Sequence, residues 1–202
     1  MSDINTSEFW ESIYRAGDAR WDLKTPTPVF VELQSRNKFT PGKMLIPGCG
    51  KGHDAVFFAQ QGFDVTGVDI AESAIAAVEE NARNAGVSVT ALQTDIFSLG
   101  ERFPQQFDYV LEYTCFCAID RSRRSEYVVM VKSVLKPGGL LIGLFFPIDD
   151  REGGPPFAVS VEEVTQLFKN DFTLVQTEVP KVSVTPRSGK EILMLWKKKP
   201  AS

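Results

Sequence analysis

The sequence predicts an α/β fold built on a doubly wound sheet of seven strands, and three observations lead to this prediction. Short apolar runs of strand length alternate with helix-like segments along most of the chain. A glycine-rich turn, Gly48 to Gly52, follows the first of these runs. An acid, Asp69, ends the second run, where Rossmann-like folds carry a carboxylate.

Size and composition limit the possible functions. The 202 residues suit one domain with a full core, so we expect a single domain over residues 1–202. The net charge of -4 argues against nucleic acid or anionic membrane as a partner. No run is long enough to span a bilayer and the N-terminus lacks a signal-peptide pattern, so we expect a cytoplasmic protein. The lysines at 197–199 are expected to form a solvated tail.

Cysteine and histidine usage argues against a metal site. The three cysteines, Cys49, Cys115 and Cys117, form no disulfide framework, and we expect them to be reduced. His53 is the single histidine, so Cys115-x-Cys117 lacks the ligands for a structural zinc ion. We therefore expect no metal.

Residues 1–40 form an aromatic-rich segment before the first strand. Phe9, Trp10 and Tyr14 recur at helical spacing, which predicts a short helix over about 7–15. This helix can pack on the core or act as a lid whose aromatic rings close over a ligand, and its local pattern leaves both open. A loop around Trp21 and a second helix over about 28–36 follow.

The opening βαβ unit contains the glycine turn. A strand over 44–47 enters it and a second strand over 64–68 leads to Asp69, which can accept hydrogen bonds from both hydroxyls of a ribose. The spacing is G-x-G-x-G, and His53 stands where a dinucleotide fingerprint has its third glycine. Glycine allows backbone to approach a cofactor closely.

The third strand is predicted over 88–92, after a helix over 72–84 that ends near Gly86. It leads to Asp95, just past the strand end. In this fold class that position lies near an adenine, but an aspartate there also suits the N-cap of a short helical turn, and local evidence supports both equally.

The fourth strand, predicted over 107–112, leads into the loop 113–119. In a doubly wound sheet this loop stands at the switch point, where we expect it to meet the reacting end of a ligand. A helix over 123–135 follows, and the turn Leu-Lys-Pro-Gly-Gly at 135–139 stops it before an apolar strand over 140–146.

The remaining chain begins with a turn-rich insertion at 147–157. A helix over 161–169 and two strands over 172–178 and 191–198 complete it. No crossover helix fits between these strands, so we expect the last strand to be antiparallel to its neighbour.

The whole pattern resembles class I S-adenosylmethionine (SAM)-dependent methyltransferases, in which the Leu-Lys-Pro-Gly-Gly turn is common. Several motifs narrow the resemblance to the thiopurine methyltransferase superfamily, and within it to the halide and thiol methyltransferases of plants and fungi. These motifs are Pro47-Gly48-Cys49-Gly50-x-Gly52-His53-Asp54, Phe116-Cys117-Ala118-Ile119, Pro147-Ile148 and Gly153-Gly154-Pro155-Pro156. Together with the Trp-rich N-terminal segment, the resemblance covers nearly the whole chain, from about Phe9 to Lys198.

The resemblance implies a bound SAM, released as S-adenosylhomocysteine, beneath an N-terminal helical lid. The cofactor-binding residues that it implies are Trp10, Tyr14, Trp21, Gly48, Cys49, Gly50, Asp69, Ile70, Asp95, Ile96 and Tyr113. Tyr14 departs from the family, which has a further tryptophan there.

The acceptor that we expect is a small soft nucleophile, a halide ion, a thiol or bisulfide, bound by a monomer. The expected acceptor pocket is formed by Phe9, Tyr113, Phe116, Cys117, Pro156 and Phe157. No residue is assigned as a general acid or base, because an anionic acceptor such as iodide or a thiolate needs none. Alternatives are an aromatic thiol acceptor of the thiopurine type, a nicotinamide-dependent oxidoreductase and a SAM-binding protein without catalysis.

Overall fold

The structure is a computed structural model that describes residues 3–37 and 39–200. Residues 1, 2, 38, 201 and 202, which the predicted segments 1–40 and 1–202 include, lie outside the described residues. The chain divides into two compact units, one ending at Ile96 and the other beginning at Phe97. The single domain over 1–202 stays a prediction.

The described residues of the first unit form three parallel strands and four helices. Its elements are α1 (Ser7–Ala16), α2 (Pro28–Asn37), β1 (Lys43–Pro47), α3 (His53–Gln60), β2 (Asp64–Asp69), α4 (Glu72–Asn84) and β3 (Thr90–Gln93). The strands lie in the order β3-β2-β1, with Met44 opposite Val65 and Val68 opposite Leu92. Met44 and Val68 are fully buried, as expected for parallel strands covered on both faces.

Local signals explain the helices of the first unit. The Thr6 side chain accepts a hydrogen bond from the Phe9 N–H and caps the start of α1, and Gly17 ends it in the left-handed conformation.

The predicted third strand was placed two residues too early. Pairing with β2 begins only where Thr90 faces Thr66, so the residues before Thr90 lie outside the ladder.

The second unit contains four strands in the order β4-β5-β7-β6. Its elements are α5 (Leu99–Arg102), β4 (Phe107–Tyr113), α6 (Arg124–Val134), β5 (Leu135–Phe145), α7 (Val161–Phe168), β6 (Phe172–Glu178) and β7 (Ile192–Lys198). β4 and β5 are parallel, and β7 is antiparallel to both β5 and β6. The predicted antiparallel last strand is therefore confirmed. The four-residue α5 is too short to show a periodicity and was not predicted.

The Leu-Lys-Pro-Gly-Gly turn differs from its prediction, because it lies inside β5 rather than before it. Leu135 is extended and pairs with Phe107, so α6 ends at Val134, one residue earlier than predicted. The pairing then shifts, and Tyr109 faces Leu140. The turn is thus an irregularity within a strand. At its start, α6 is preceded by a 3₁₀ turn, Arg121–Arg123, which the sequence did not predict.

The lysine run near the C-terminus is more than the solvated tail that was predicted. The Lys198 ammonium donates to the carbonyl oxygens of Lys132 and Leu135, both at 2.6 Å. The Lys199 ammonium donates to the carbonyl of Lys169, just past α7. Both lysines therefore satisfy carbonyls that a helix end leaves without a partner.

No described helix is both long enough and apolar enough to cross a membrane.

Candidate active site

The glycine loop between β1 and α3 is in van der Waals range of the N-terminal aromatic residues. Gly48, Gly50 and Gly52 all have positive φ, which only glycine adopts readily. A Cβ built on Gly50 would lie 3.4 Å from the Tyr14 hydroxyl oxygen and 3.8 Å from Trp21 Nε1. The loop is therefore a narrow cradle whose upper side is formed by two aromatic side chains.

Asp69 links this loop to the end of β2. Its carboxylate accepts hydrogen bonds from the N–H of Gly50 and of Ala71, one on each oxygen and both at 3.0 Å. The residue is only 8% exposed. Burial raises the pKa of Asp69, although the hydrogen bonds from Ala71 and Gly50 lower it. The Ile70 backbone also interacts with this carboxylate, which has about four acceptor positions and can accept a further hydrogen bond.

Cys49 contributes backbone rather than its thiol to this arrangement. Its N–H donates to the Val68 carbonyl at 2.9 Å, and its side chain faces Gly67 of β2, where an added Cβ would lie 3.0 Å from the sulfur. Burial and the charge of Asp69 raise the pKa of this thiol.

Four aromatic residues of the N-terminal segment form one cluster, made of Phe9, Trp10, Tyr14 and Trp21. Neighbouring rings meet edge to face, with centroids 5.0 Å apart for Phe9 and Trp10, 5.6 Å for the two tryptophans and 5.5 Å for Tyr14 and Trp21. The Trp21 Nε1–H donates to the Tyr14 oxygen at 3.3 Å. Burial, with the charge of Asp69, raises the pKa of Tyr14, so its hydroxyl stays neutral.

Helix α1 is joined to the start of α4 by Glu11. One carboxylate oxygen accepts from the Ser73 N–H at 3.0 Å and the other from the Ser73 hydroxyl. The residue before α4, Ala71, has no side chain able to cap it. Glu11 therefore caps α4 from another helix, and the hydrogen bonds from Ser73 lower its pKa.

The loop after α1 is fixed to the glycine turn by charged residues. The Asp22 carboxylate lies 2.9 Å from the Lys51 ammonium and 3.0 Å from His53 Nε2. One residue further along, the Asp54 carboxylate accepts from both the N–H and the hydroxyl of Thr27. His53 thus has a structural carboxylate partner.

The residues past β3 follow the prediction in position. The Thr94 N–H donates to the Asp69 carbonyl at 3.0 Å, and Asp95 lies directly before a 3₁₀ turn, Ile96–Ser98. Ile96 is 9% exposed. Of the other predicted cofactor residues of the first unit, Tyr14, Trp21 and Asp69 lie at Gly50, and Trp10 packs on Trp21.

The second unit contains a separate polar cluster at the end of β4, formed by Tyr113, Arg187 and Glu191. The Tyr113 hydroxyl donates to Glu191 Oε1 at 2.5 Å and accepts from Arg187 Nη1. Arg187 also lies over the Tyr113 ring, 5.1 Å from its centroid. Arg187 and Glu191 are buried, at 6% and 2% exposure. Burial raises the pKa of Tyr113 despite the opposing charge of Arg187.

Cys117 and Phe157 lie together in this unit. The Phe157 N–H donates to the Cys117 carbonyl at 2.8 Å, which fixes the 147–157 insertion, including Pro156, to the loop after β4. Burial and the charge of Glu112 raise the pKa of Cys117 to about 12. The thiol is therefore protonated at neutral pH and is a poor nucleophile.

Glu112 holds the loop after β4 in shape. Its buried carboxylate accepts from the N–H groups of Cys115 and Phe116, at 3.1 and 2.8 Å, and from the Tyr127 hydroxyl. Thr114, which lies between Glu112 and Cys115 in the chain, has a φ of 59°. A positive φ is unusual for a residue with a β-branched side chain. These hydrogen bonds stabilise a backbone that Thr114 by itself disfavours.

Sequence reasoning missed the groups that fix these residues, namely Glu11, Asp22, Glu112, Arg187 and Glu191. Two of them carried a signal. Glu112 directly follows the apolar pair Val110-Leu111 of β4, and Glu191 directly precedes the apolar run of β7. A carboxylate at such a position is buried and needs a partner. The partners of the other three depend on tertiary contacts.

Comparison with known proteins gives a consistent result. The family model described as Thiopurine S-methyltransferase (TPMT) matches residues 5–199. A probable thiol methyltransferase 2 of Arabidopsis thaliana is 38% identical over 96% of this chain and 86% of its own, and thiocyanate methyltransferase 1 of Brassica oleracea is 37% identical over 94% and 84%.

A solved structure is also similar. The 1,6-didemethyltoxoflavin-N1-methyltransferase of Burkholderia thailandensis, crystallised with its substrate and S-adenosylhomocysteine, has a TM-score of 0.76 at 22% identity. The similarity covers 96% of this chain and 87% of that one, and confirms the predicted α/β fold class.

Proposed function

The chain belongs to the thiopurine S-methyltransferase family, and from this premise we propose that it transfers a methyl group from SAM to a small soft nucleophile, a thiol, bisulfide or a halide ion. The observation that carries the proposal is the near full-length similarity to a thiol methyltransferase and a thiocyanate methyltransferase, at 38% and 37% identity. Family membership argues against the nicotinamide alternative.

The residues of the first unit fit an adenosyl cofactor. The positive φ of Gly50, 54°, favours glycine in this loop, and the Asp69 carboxylate has remaining acceptor capacity for a ribose hydroxyl. SAM, when bound, supplies a methyl group on a positively charged sulfur. Electron-rich aromatic faces such as those of Trp10 and Trp21 attract such a charge.

We assign the cofactor to the residues that the family resemblance implied. They are Trp10, Tyr14, Trp21, Gly48, Cys49, Gly50, Asp69, Ile70, Asp95, Ile96 and Tyr113. Cys49 takes part through its backbone, since its thiol faces Gly67. The proposed role of Glu11 and Asp22 is to fix the aromatic segment to α4 and to the glycine turn.

The acceptor is assigned to Phe9, Tyr113, Phe116, Cys117, Pro156 and Phe157. These side chains are mainly apolar, and Cys117 is a neutral thiol. An apolar surface favours the reaction of an anionic nucleophile with a cationic donor, because both reactants lose charge as the methyl moves. We further propose that the protein is a cytoplasmic monomer and that its acceptor is a small molecule. We also propose that it binds neither nucleic acid nor membrane, which the net charge of -4 supports.

The second candidate is an aromatic thiol acceptor of the thiopurine type, which the description of the matching family favours. The two candidates differ in acceptor size. A pocket suited to thiocyanate or iodide is too small to enclose a bicyclic thiopurine, so the relative rates on the two classes distinguish them.

The experiment that tests the proposal supplies purified protein with SAM and one acceptor at a time: iodide, thiocyanate, bisulfide or a thiopurine. Volatile methyl products are measured in the headspace, and S-adenosylhomocysteine is measured in solution. We expect product from the small acceptors at a higher kcat/KM than from the thiopurine. Product from the thiopurine alone would overturn the assignment, and no product from any acceptor would leave only cofactor binding.

A further inference from the structure

The hydroxyl of Tyr113 lies between two buried side chains of opposite charge. It donates to Glu191 Oε1 at 2.5 Å and accepts from Arg187 Nη1. Glu191 and Arg187 are almost inaccessible to water. A carboxylate and a guanidinium on one phenol oxygen form a hydrogen-bonded chain along which a proton can move.

The small acceptors of the proposed function fall into two chemical classes. Halide ions and thiocyanate are anions without a proton to lose, whereas an alkyl thiol carries one near neutral pH. Since the thiolate and not the thiol is the nucleophile, a thiol must lose its proton before or during methyl transfer. A methyltransferase that acts on both classes therefore needs a base for one of them only.

We propose that Tyr113 and Glu191 form a proton relay that receives the proton of a thiol acceptor, so that acceptors without a proton bypass it. This inference rests on the proposed function and deepens it. In the polar cluster at the end of β4, Glu191 is the carboxylate to which the Tyr113 hydroxyl donates directly. Asp149, another acid of this unit, pairs with Arg151 and Lys190.

The proton step involves three groups, the acceptor thiol, Tyr113 and Glu191. The S–H bond of the acceptor breaks and an O–H bond forms at the Tyr113 oxygen, while the Tyr113 proton passes to Glu191 Oε1. The electron pair stays on sulfur as a thiolate, and Glu191 becomes neutral. After product release its proton returns to solvent. Burial raises the pKa of Tyr113, so the phenol passes a proton on without remaining ionised.

Two neighbours fit this role without competing for it. Arg187 donates to the Tyr113 oxygen and stabilises negative charge that develops there. The Cys117 thiol, whose pKa is raised to about 12 by burial, does not release a proton in the working range. The charges of Arg187 and Glu191 act on the pKa of Tyr113 in opposite directions, the first lowering it and the second raising it.

The test compares Glu191→Gln with the wild type on an alkyl thiol and on thiocyanate. General base catalysis typically contributes about 10²- to 10⁴-fold. We expect kcat/KM on the thiol, divided by that on thiocyanate, to fall by at least about 10²-fold. The variant's thiol rate should also rise tenfold per pH unit up to the pKa of the thiol, since only thiolate from solution reacts. Glu162→Gln, an exposed acid of the same unit, is the matched control.

A second readout does not depend on turnover. In the complex with S-adenosylhomocysteine, addition of the thiol should produce an infrared band of a protonated carboxyl group, absent in Glu191→Gln and absent with thiocyanate. Tyr113→Phe removes the oxygen that receives the proton, and it should also lower the ratio of kcat/KM on the thiol to kcat/KM on thiocyanate. This variant provides the test if Glu191→Gln does not fold.

The relay would be overturned if Glu191→Gln lost kcat/KM equally on both acceptors or left the thiol-to-thiocyanate ratio unchanged. It would also be overturned by a wild-type enzyme that methylates thiocyanate but no thiol. A wild-type protein inactive on every acceptor would instead overturn the proposed function.

Discussion

Asp69 combines a structural role with the cofactor role that its position predicts. Its carboxylate holds the N–H groups of Gly50 and Ala71, so it shapes the loop that it is expected to share with the ribose. We expect Asp69→Ala to weaken S-adenosylhomocysteine binding by about 2 to 4 kcal/mol, because charged hydrogen bonds in a buried site are lost. Isothermal titration calorimetry well below the unfolding temperature measures this.

The matched control for Asp69 is Asp64→Ala, which removes an exposed acid from the other end of β2. Its affinity for S-adenosylhomocysteine should equal that of the wild type. If Asp69→Ala also binds normally while remaining folded by circular dichroism, the ribose does not bind at Asp69.

Glu112 gives the folded protein a characteristic pH dependence. Burial raises its pKa to about 7, against an ordinary value of 4.5. Between these values the folded protein holds a proton that the unfolded chain has released, so the free energy of unfolding falls as pH rises from about 4.5 to about 7. Relative to Glu112→Gln, which does not titrate, the wild type should lose on the order of 3 kcal/mol across this window.

Urea denaturation of the wild type and Glu112→Gln at several pH values measures this difference. Glu162→Gln is the control, since an exposed acid should leave the pH dependence unchanged. A wild-type-minus-variant difference that is constant from pH 4.5 to 7 would show that Glu112 is already ionised at the lower pH.

Asp69 was predicted because a strand end is visible in a sequence, whereas the roles of Trp10 and Trp21 were implied by the family resemblance. The Tyr113, Arg187 and Glu191 cluster was only partly visible. Tyr113 begins the loop after the predicted fourth strand and its role was implied by the family resemblance, but Arg187 and Glu191 are more than 70 positions away in the chain. Contacts over such separations are decided by tertiary packing, and a single sequence carries no periodicity that reports them.

At the scale of elements, α1 and α4 depend on each other through Glu11. We expect Glu11→Ala to lower the free energy of unfolding by about 1 kcal/mol, as for the loss of an N-cap. It should also weaken S-adenosylhomocysteine binding, because the aromatic residues of α1 lose one attachment. Thermal denaturation and calorimetry measure the two effects separately.

Glu8→Ala is the control for Glu11, since Glu8 lies on the same helix with its side chain 78% exposed. The double variant Glu11→Ala with Ala71→Ser restores a cap to α4 without restoring the link to α1. It should recover stability but not affinity. Recovery of both would mean that capping alone explains the effect of Glu11.

Strands and helices were predicted well where their ends have local causes, as with the Thr6 cap and Gly17 of α1. The start of β3 and the first half of β5 were predicted poorly, because pairing with a neighbouring strand defines them. Leu135 reads as the last residue of a helix in sequence, yet its pairing with Phe107 makes it the first of a strand.

At the scale of the whole molecule, the open question is whether the two compact units unfold as one. A three-stranded all-parallel sheet is rarely stable by itself, so we expect the units to unfold together, as the predicted single domain requires. At 100 times its Kd, S-adenosylhomocysteine should add about 2.7 kcal/mol of stability, which corresponds to roughly 5 to 10 °C in Tm for a chain of this size. NAD should have no effect.

Scanning calorimetry measures this shift, and two-state unfolding gives one peak whose calorimetric and van't Hoff enthalpies agree. Trp10 and Trp21 lie in the first unit and Trp196 in the second, so the fluorescence of Trp196→Phe reports the first unit alone. The midpoint of the fluorescence transition of Trp196→Phe should coincide with the calorimetric midpoint. S-adenosylhomocysteine should shift both midpoints equally. Because a ligand stabilises only the cooperative unit that binds it, two peaks of which one moves would show that the units unfold independently.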